Sequence, residues 1–170
     1  MNKNGFTLIE LLATILILAL IMLIAVPNVM STIDKNKQDT YVEDAKKMIT
    51  LVEYKIRSDT NIPLPTSGNC IIVRLNSLDL SDFKEAPEGG SYDLQNSYVL
   101  VARNGSSYLY YATIVENYGD SKRGIPLTSR SKLNKEDARK NVLSNNELII
   151  EKPTVGSDII GYTITSIISS

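Results

Sequence analysis

Residues 6–26, FTLIELLATILILALIMLIAV, govern how the rest of this chain is read. They hold one charge, Glu10, and neither glycine nor proline interrupts the run before Pro27. As an α-helix of about 21 residues the run would span about 32 Å, close to the hydrocarbon thickness of a bilayer. A helix buried in a soluble domain usually keeps one polar face. This one is apolar all round, which favours insertion into a membrane over burial in a core.

Two ordinary explanations of such a run fall short. A cleaved secretory signal needs a longer basic start, a shorter apolar stretch and a small-residue cut site. Here the run ends Ala25-Val26-Pro27, without such a site. A plain signal anchor accounts for the length and for Lys3 on the cytoplasmic side. It leaves Glu10 unexplained, and an unpaired carboxylate inside a span is costly enough to imply a function.

Lys3-Asn4-Gly5-Phe6-Thr7-Leu8-Ile9-Glu10 resembles the type IV prepilin signature, a short basic leader and a glycine followed by Phe-Thr-Leu-Ile-Glu at the head of a long apolar helix. Ala25-Val26-Pro27-Asn28 is similar to the interruption of that helix in the same family. The resemblance implies that a prepilin peptidase cuts between Gly5 and Phe6 and that the new amine of Phe6 is N-methylated. It also implies that Glu10 pairs with the Phe6 amine of a neighbouring subunit, with Phe6, Glu10 and Pro27 serving filament assembly. The physics agrees, because an opposite charge within a few ångströms offsets the desolvation of a carboxylate in low dielectric.

Beyond Pro27, which should bend or loosen the helix, Val42, Ala45, Ile49, Val52 and Ile56 recur at spacings of three and four, an apolar stripe on a continuing helix. Glu43–Lys47 and Glu53–Arg57 are spaced as i,i+4 pairs. Ser58-Asp59-Thr60-Asn61-Ile62-Pro63 ends that helix. Residues 63–95 read as a long acidic connection with a turn at Pro87-Glu88-Gly89-Gly90 and a short strand at 70–75. The clearest strand signal is 98–102 and 108–115 around Asn104-Gly105, a hairpin pattern. Its tyrosines read as sheet packing. Asn134 is placed to cap a short helix over 135–143, and 147–151 and 159–164 read as further strands.

The expected fold is α+β, a long N-terminal helix packed on an antiparallel sheet of about four strands, which matches the pilin fold. The expected divisions are a leader at 1–5, a membrane and polymerisation helix at 6–27, its amphipathic continuation at 28–60 and a globular head at 61–170. Pilins usually close their C-terminal loop with a disulfide. This chain has one cysteine, Cys70, and cannot, as is common in Gram-positive-type pilins and in pseudopilins.

The chain of 170 residues contains no histidine, which removes Ser-His-Asp, Cys-His and histidine-based metal chemistry. Neither an enzymatic activity, a cofactor nor a metal is expected; the spacing of Asp79, Asp82 and Asp93 fits no calcium loop. The resemblance implies a structural subunit of a surface filament, involved in adhesion, motility or surface interaction. The precursor would lie in the cytoplasmic membrane with its head outside, and the assembled pilus would be extracellular. Its partners would be copies of itself, other pilins, the prepilin peptidase, and the assembly platform with its ATPase. The alternative is a pseudopilin of a DNA-uptake or type II secretion system. Lys122, Arg123, Arg130, Lys132, Lys135, Arg139 and Lys140 form a basic segment that could contact DNA phosphates or the acidic connection of a neighbouring head. Solvated loop charge is favoured over DNA for these residues, since the net charge is −1.

Overall fold

In a computed structural model that describes residues 6–81, 83, 85–133, 143–144 and 162–169, a single helix, α1, runs Leu8–Ser58. The chain divides into two compact units, Met1–Asn36 and Lys37–Ser170. In the first, every large apolar side chain from Phe6 to Ile33 is exposed. The helical assignment continues through Pro27 without a break. Pro27 has no N–H for the carbonyl of Leu23, and next to it the Asn28 side-chain amide donates to Ile24 O at 3.2 Å.

The second unit is organised around the stripe on α1. Tyr41, Val42, Ala45, Met48, Ile49 and Val52 are essentially inaccessible. Tyr41 and Met48 extend the expected stripe, and Ile56 packs only at its margin. The helix stops where Ser58 Oγ and Asp59 N–H both take up the Lys55 carbonyl, at 3.2 and 2.9 Å. The Asp59 carboxylate then accepts the Asn61 N–H at 2.9 Å, turning the chain ahead of Pro63.

Among the described residues the sheet is mixed and has seven strands, more than the roughly four expected. β1 is Asn69–Arg74, β2 Ser91–Tyr92, β3 Tyr98–Asn104, β4 Ser107–Tyr118, β5 Ser121–Ser129, β6 Leu143–Ser144 and β7 Thr163–Ile168. Six follow the order β6-β5-β4-β3-β1-β7, and β2 pairs with β4. All neighbours are antiparallel except β7, which lies parallel to β1. The β3–β4 hairpin turns on Gly105-Ser106 rather than Asn104-Gly105, because Asn104 pairs with Ser107 and Gly105 takes φ 60°. A two-residue hairpin loop favours glycine at its first position for this reason.

Three further expectations shift. Residues 121–129, read as basic loop, form β5. Of the strand expected at 159–164, residues 163 and 164 belong to β7, Thr163–Ile168, and 159–161 lie outside the described residues. Leu143, expected to end a helix over 135–143, begins β6. The rest of that helix and the strand expected at 147–151 lie outside the described residues.

Alternate residues divide between two apolar clusters. Ile71, Val73, Val99, Val101, Ala112 and Ile114 join the stripe of α1. Cys70, Ile72, Tyr98, Leu100, Ala102 and Tyr111 form a second cluster on the opposite face. Burial on both faces explains why β1 and β3 read as continuous apolar runs instead of alternating ones.

Candidate functional site

The first turn of α1 is built by local chemistry. Thr7 precedes the first helical residue and Glu10 stands three residues later, the spacing of a capping box. Thr7 Oγ1 accepts the Glu10 N–H at 3.3 Å, while Glu10 Oε2 accepts the Thr7 N–H at 2.9 Å and the Thr7 hydroxyl at 2.8 Å. One carboxylate oxygen is thereby satisfied by the chain's own N-terminus, and the negative charge sits at the positive end of the helix dipole. Glu10 Oε1 has no hydrogen-bond partner among the described residues. Phe6 is exposed immediately ahead of this turn. Gly5 lies outside the described residues.

Further along the helix, the Thr14 and Thr32 side chains, like that of Asn28, return to the helix backbone. Thr14 Oγ1 donates to Leu11 O at 2.8 Å, and Thr32 Oγ1 to Asn28 O at 2.9 Å. Such internal pairing lets an apolar helix leave water without stranded donors. The helix is long and apolar enough to cross a membrane.

Within the head, the acidic connection is fastened by a buried polar network. Glu116 on β4 is completely inaccessible. Its Oε2 accepts from the Tyr41 hydroxyl and from Glu88 N–H, and its Oε1 accepts from Gly90 N–H at 2.7 Å. A Cβ on Gly90 would meet Asn117 O at 2.0 Å, so only glycine brings this loop close enough to serve the carboxylate. Glu88 itself is clasped by Lys37 at 2.7 Å and Arg123 at 2.8 Å. Burial raises the Glu88 carboxyl, but these two cations outweigh it and hold it below the usual range. Asp93 behaves alike: burial opposes Lys122, at 2.7 Å, and Asn96, which prevail and keep it low. The Tyr92 hydroxyl donates to Asp44, whose carboxyl is nevertheless raised by burial.

The basic segment therefore has internal partners. Lys122 meets Asp93, Arg123 meets Glu88, and Arg130 meets Glu53 of α1. The acidic and basic stretches mate within one head. Lys132 is described and also interacts within the chain; Lys135, Arg139 and Lys140 lie outside the described residues. Sequence reasoning passed over Thr7, although its three-residue spacing to Glu10 was a readable capping signal, and passed over Glu116, whose partners are remote in sequence.

Residues 1–26 match the prokaryotic N-terminal methylation motif. This match supports a type IV pilin-like prepilin with a class III signal peptide. No curated protein and no solved structure matches the chain. The matched residues include the apolar run, with Thr7 and Glu10 of the capping box.

Proposed function

We propose that this prepilin is a structural subunit of a type IV pilus, cut between Gly5 and Phe6 by a prepilin peptidase and polymerised through its N-terminal helix. The observation that carries the reading is Glu10, the one charge in the exposed apolar stretch of residues 6–26, held on one oxygen by Thr7. The other oxygen is available to the methylated Phe6 amine of a neighbouring subunit. Aliphatic side chains supply the bulk of the packing, and that ion pair selects the register. The pilus platform, its ATPase and other pilins are the partners this role requires, and the head is displayed outside the cell. Internal pairing of Lys122, Arg123 and Arg130 supports a structural head over a DNA-uptake pseudopilin.

Intact-mass analysis of protein sheared from the cell surface tests the processing step. The expected mass is that of a chain beginning at N-methylated Phe6; a chain beginning at Met1 or after Val26 would count against it. Glu10→Ala, as the sole subunit, should be cleaved and membrane-inserted but form few or no filaments. Normal filaments from that variant would refute the pairing role.

A further inference from the structure

Along the flank of α1 in the head runs a cleft that serves neither the core nor the apolar helix. Two adjoining cavities of about 460 and 420 Å³ share Glu53, Tyr108 and Tyr110. Tyr108 and Tyr110 are alternate residues of β4, so their rings stand on one face of the sheet about 7 Å apart. Both are half-buried, braced from beneath by the main core. Ile56 adds an apolar wall. Glu53 is already ion-paired with Arg130, whose guanidinium carbon lies 6.0 Å from the centre of the Tyr110 ring. Arg57 opens onto the same space, exposed and without an ion-pair partner among the described residues.

The polar groups converge. Burial pushes the Tyr110 phenol up and Glu53 adds to this, while Arg57 and Arg130 oppose it, so one carboxylate and two guanidiniums act on a single hydroxyl. Such a set offers a fixed acceptor, planar donors and a phenol beside apolar ring surface. A sugar ring matches it in kind: its C–H face is apolar, and its hydroxyls both donate and accept. The Glu53–Arg130 pair is formed in advance, so less ordering is required when hydroxyls bind. Single-stranded nucleic acid also uses tyrosines and arginines. Its phosphates, however, recur at every nucleotide and would have to run past the Glu53 carboxylate, which both cavities share, whereas a single acidic substituent on a sugar need meet only Arg57.

We propose that this cleft binds an oligosaccharide, with Tyr108 and Tyr110 as its floor, Glu53 and Arg130 engaging hydroxyls, and Arg57 contacting an acidic substituent. The site goes beyond the filament role and does not rest on it. The test uses the full chain in a zwitterionic detergent free of sugar head groups, applied to an array of several hundred immobilised oligosaccharides. A small set of related glycans should be retained, with acidic members favoured. In solution titrations of the best of them, Glu53→Gln and Arg57→Gln should each weaken binding about tenfold or more at unchanged thermal unfolding. Arg57→Gln should weaken an acidic glycan more than its neutral counterpart. The proposal is overturned if no oligosaccharide is retained above an unrelated membrane protein, or if affinity survives both substitutions. It is equally overturned if a ten-residue oligothymidylate binds more tightly than any glycan.

Discussion

Two carboxylates of this chain accept hydrogen bonds from its own groups to different extents. Glu116 has donors on both oxygens, all from its own head, so its negative charge is settled when the head folds. Glu10 is satisfied on one oxygen by Thr7, and its other oxygen has no hydrogen-bond partner among the described residues. The first arrangement fixes a loop, and the second leaves one carboxylate oxygen open. A third residue, Cys70, shows how burial alters an expectation. Its lack of a disulfide partner implies that Cys70→Ser is nearly silent. Yet the thiol is fully inaccessible in the second apolar cluster, 3.6 Å from Thr163 O, and burial pushes it up. Replacing sulfur by a more polar hydroxyl there should lower stability by about 1–3 kcal/mol, while the chain stays monomeric on non-reducing gels. Chemical denaturation of Cys70→Ser against the parent measures it; equal midpoints and slopes would show that the hydroxyl finds a full partner.

Among the elements, the connection between β1 and β3 is the one held by charge. Glu88 and Asp93 sit below their ordinary values of 4.5 and 3.8, held there by Lys37, Arg123 and Lys122. Carboxyls lowered on folding lend stability that is fully present above those values and is lost as the pH falls through the folded ones. Asp44, raised by burial, acts in the opposite sense and regains stability on protonation. With two groups against one, thermal unfolding should fall to lower temperature as the pH drops below about 4.5. Glu88→Gln should be less stable at pH 7 yet show a shallower loss in acid, followed by circular dichroism. An acid slope identical to the parent's would remove Glu88 from the account. These same pairs explain what sequence could and could not reveal. The stripe on α1, β1 and the β3–β4 hairpin were legible, because 3.6-residue spacing, β-branched runs and a turn glycine are local signals. β5 was not, since Ser121-Lys122-Arg123 reads as solvated loop until Asp93 and Glu88, 29 and 35 positions earlier, neutralise it. The parallel pairing of β7 was not legible for a similar reason. Its register on β1, with a shift between Cys70 and Ile71, is set by a strand nearly a hundred residues away. The methylation motif around Phe6 and Glu10 was legible because the octapeptide is contiguous; the Tyr110 cleft was not, being assembled from α1, β3, β4 and the end of β5.

For the molecule as a whole, the charge balance makes a demand on any role in nucleic-acid binding. The net charge is −1, and three of the strongest candidate cations already carry carboxylate partners. A phosphate reaching Lys122 or Arg123 must compete with Asp93 or Glu88, each within 2.8 Å of its cation. Releasing such a pair also returns an acid to the surface beside the bound phosphate, which lowers the local potential that attracted it. Full-length protein in neutral detergent should therefore show no saturable binding to a fluorescent duplex of about 20 base pairs near 0.15 M salt, where charge interactions are screened beyond about 8 Å. If several cations did act together, the affinity would fall with salt at a log–log slope of about −0.9 for each phosphate neutralised. The comparison is a salt titration of the parent and of a variant carrying Lys122→Gln and Arg123→Gln. Weak binding seen only at low salt, and equal in the two proteins, is the expected result. Submicromolar binding at physiological salt that disappears in the variant would mean that the ion pairs open to phosphate, and DNA uptake would then replace the structural filament as the leading function.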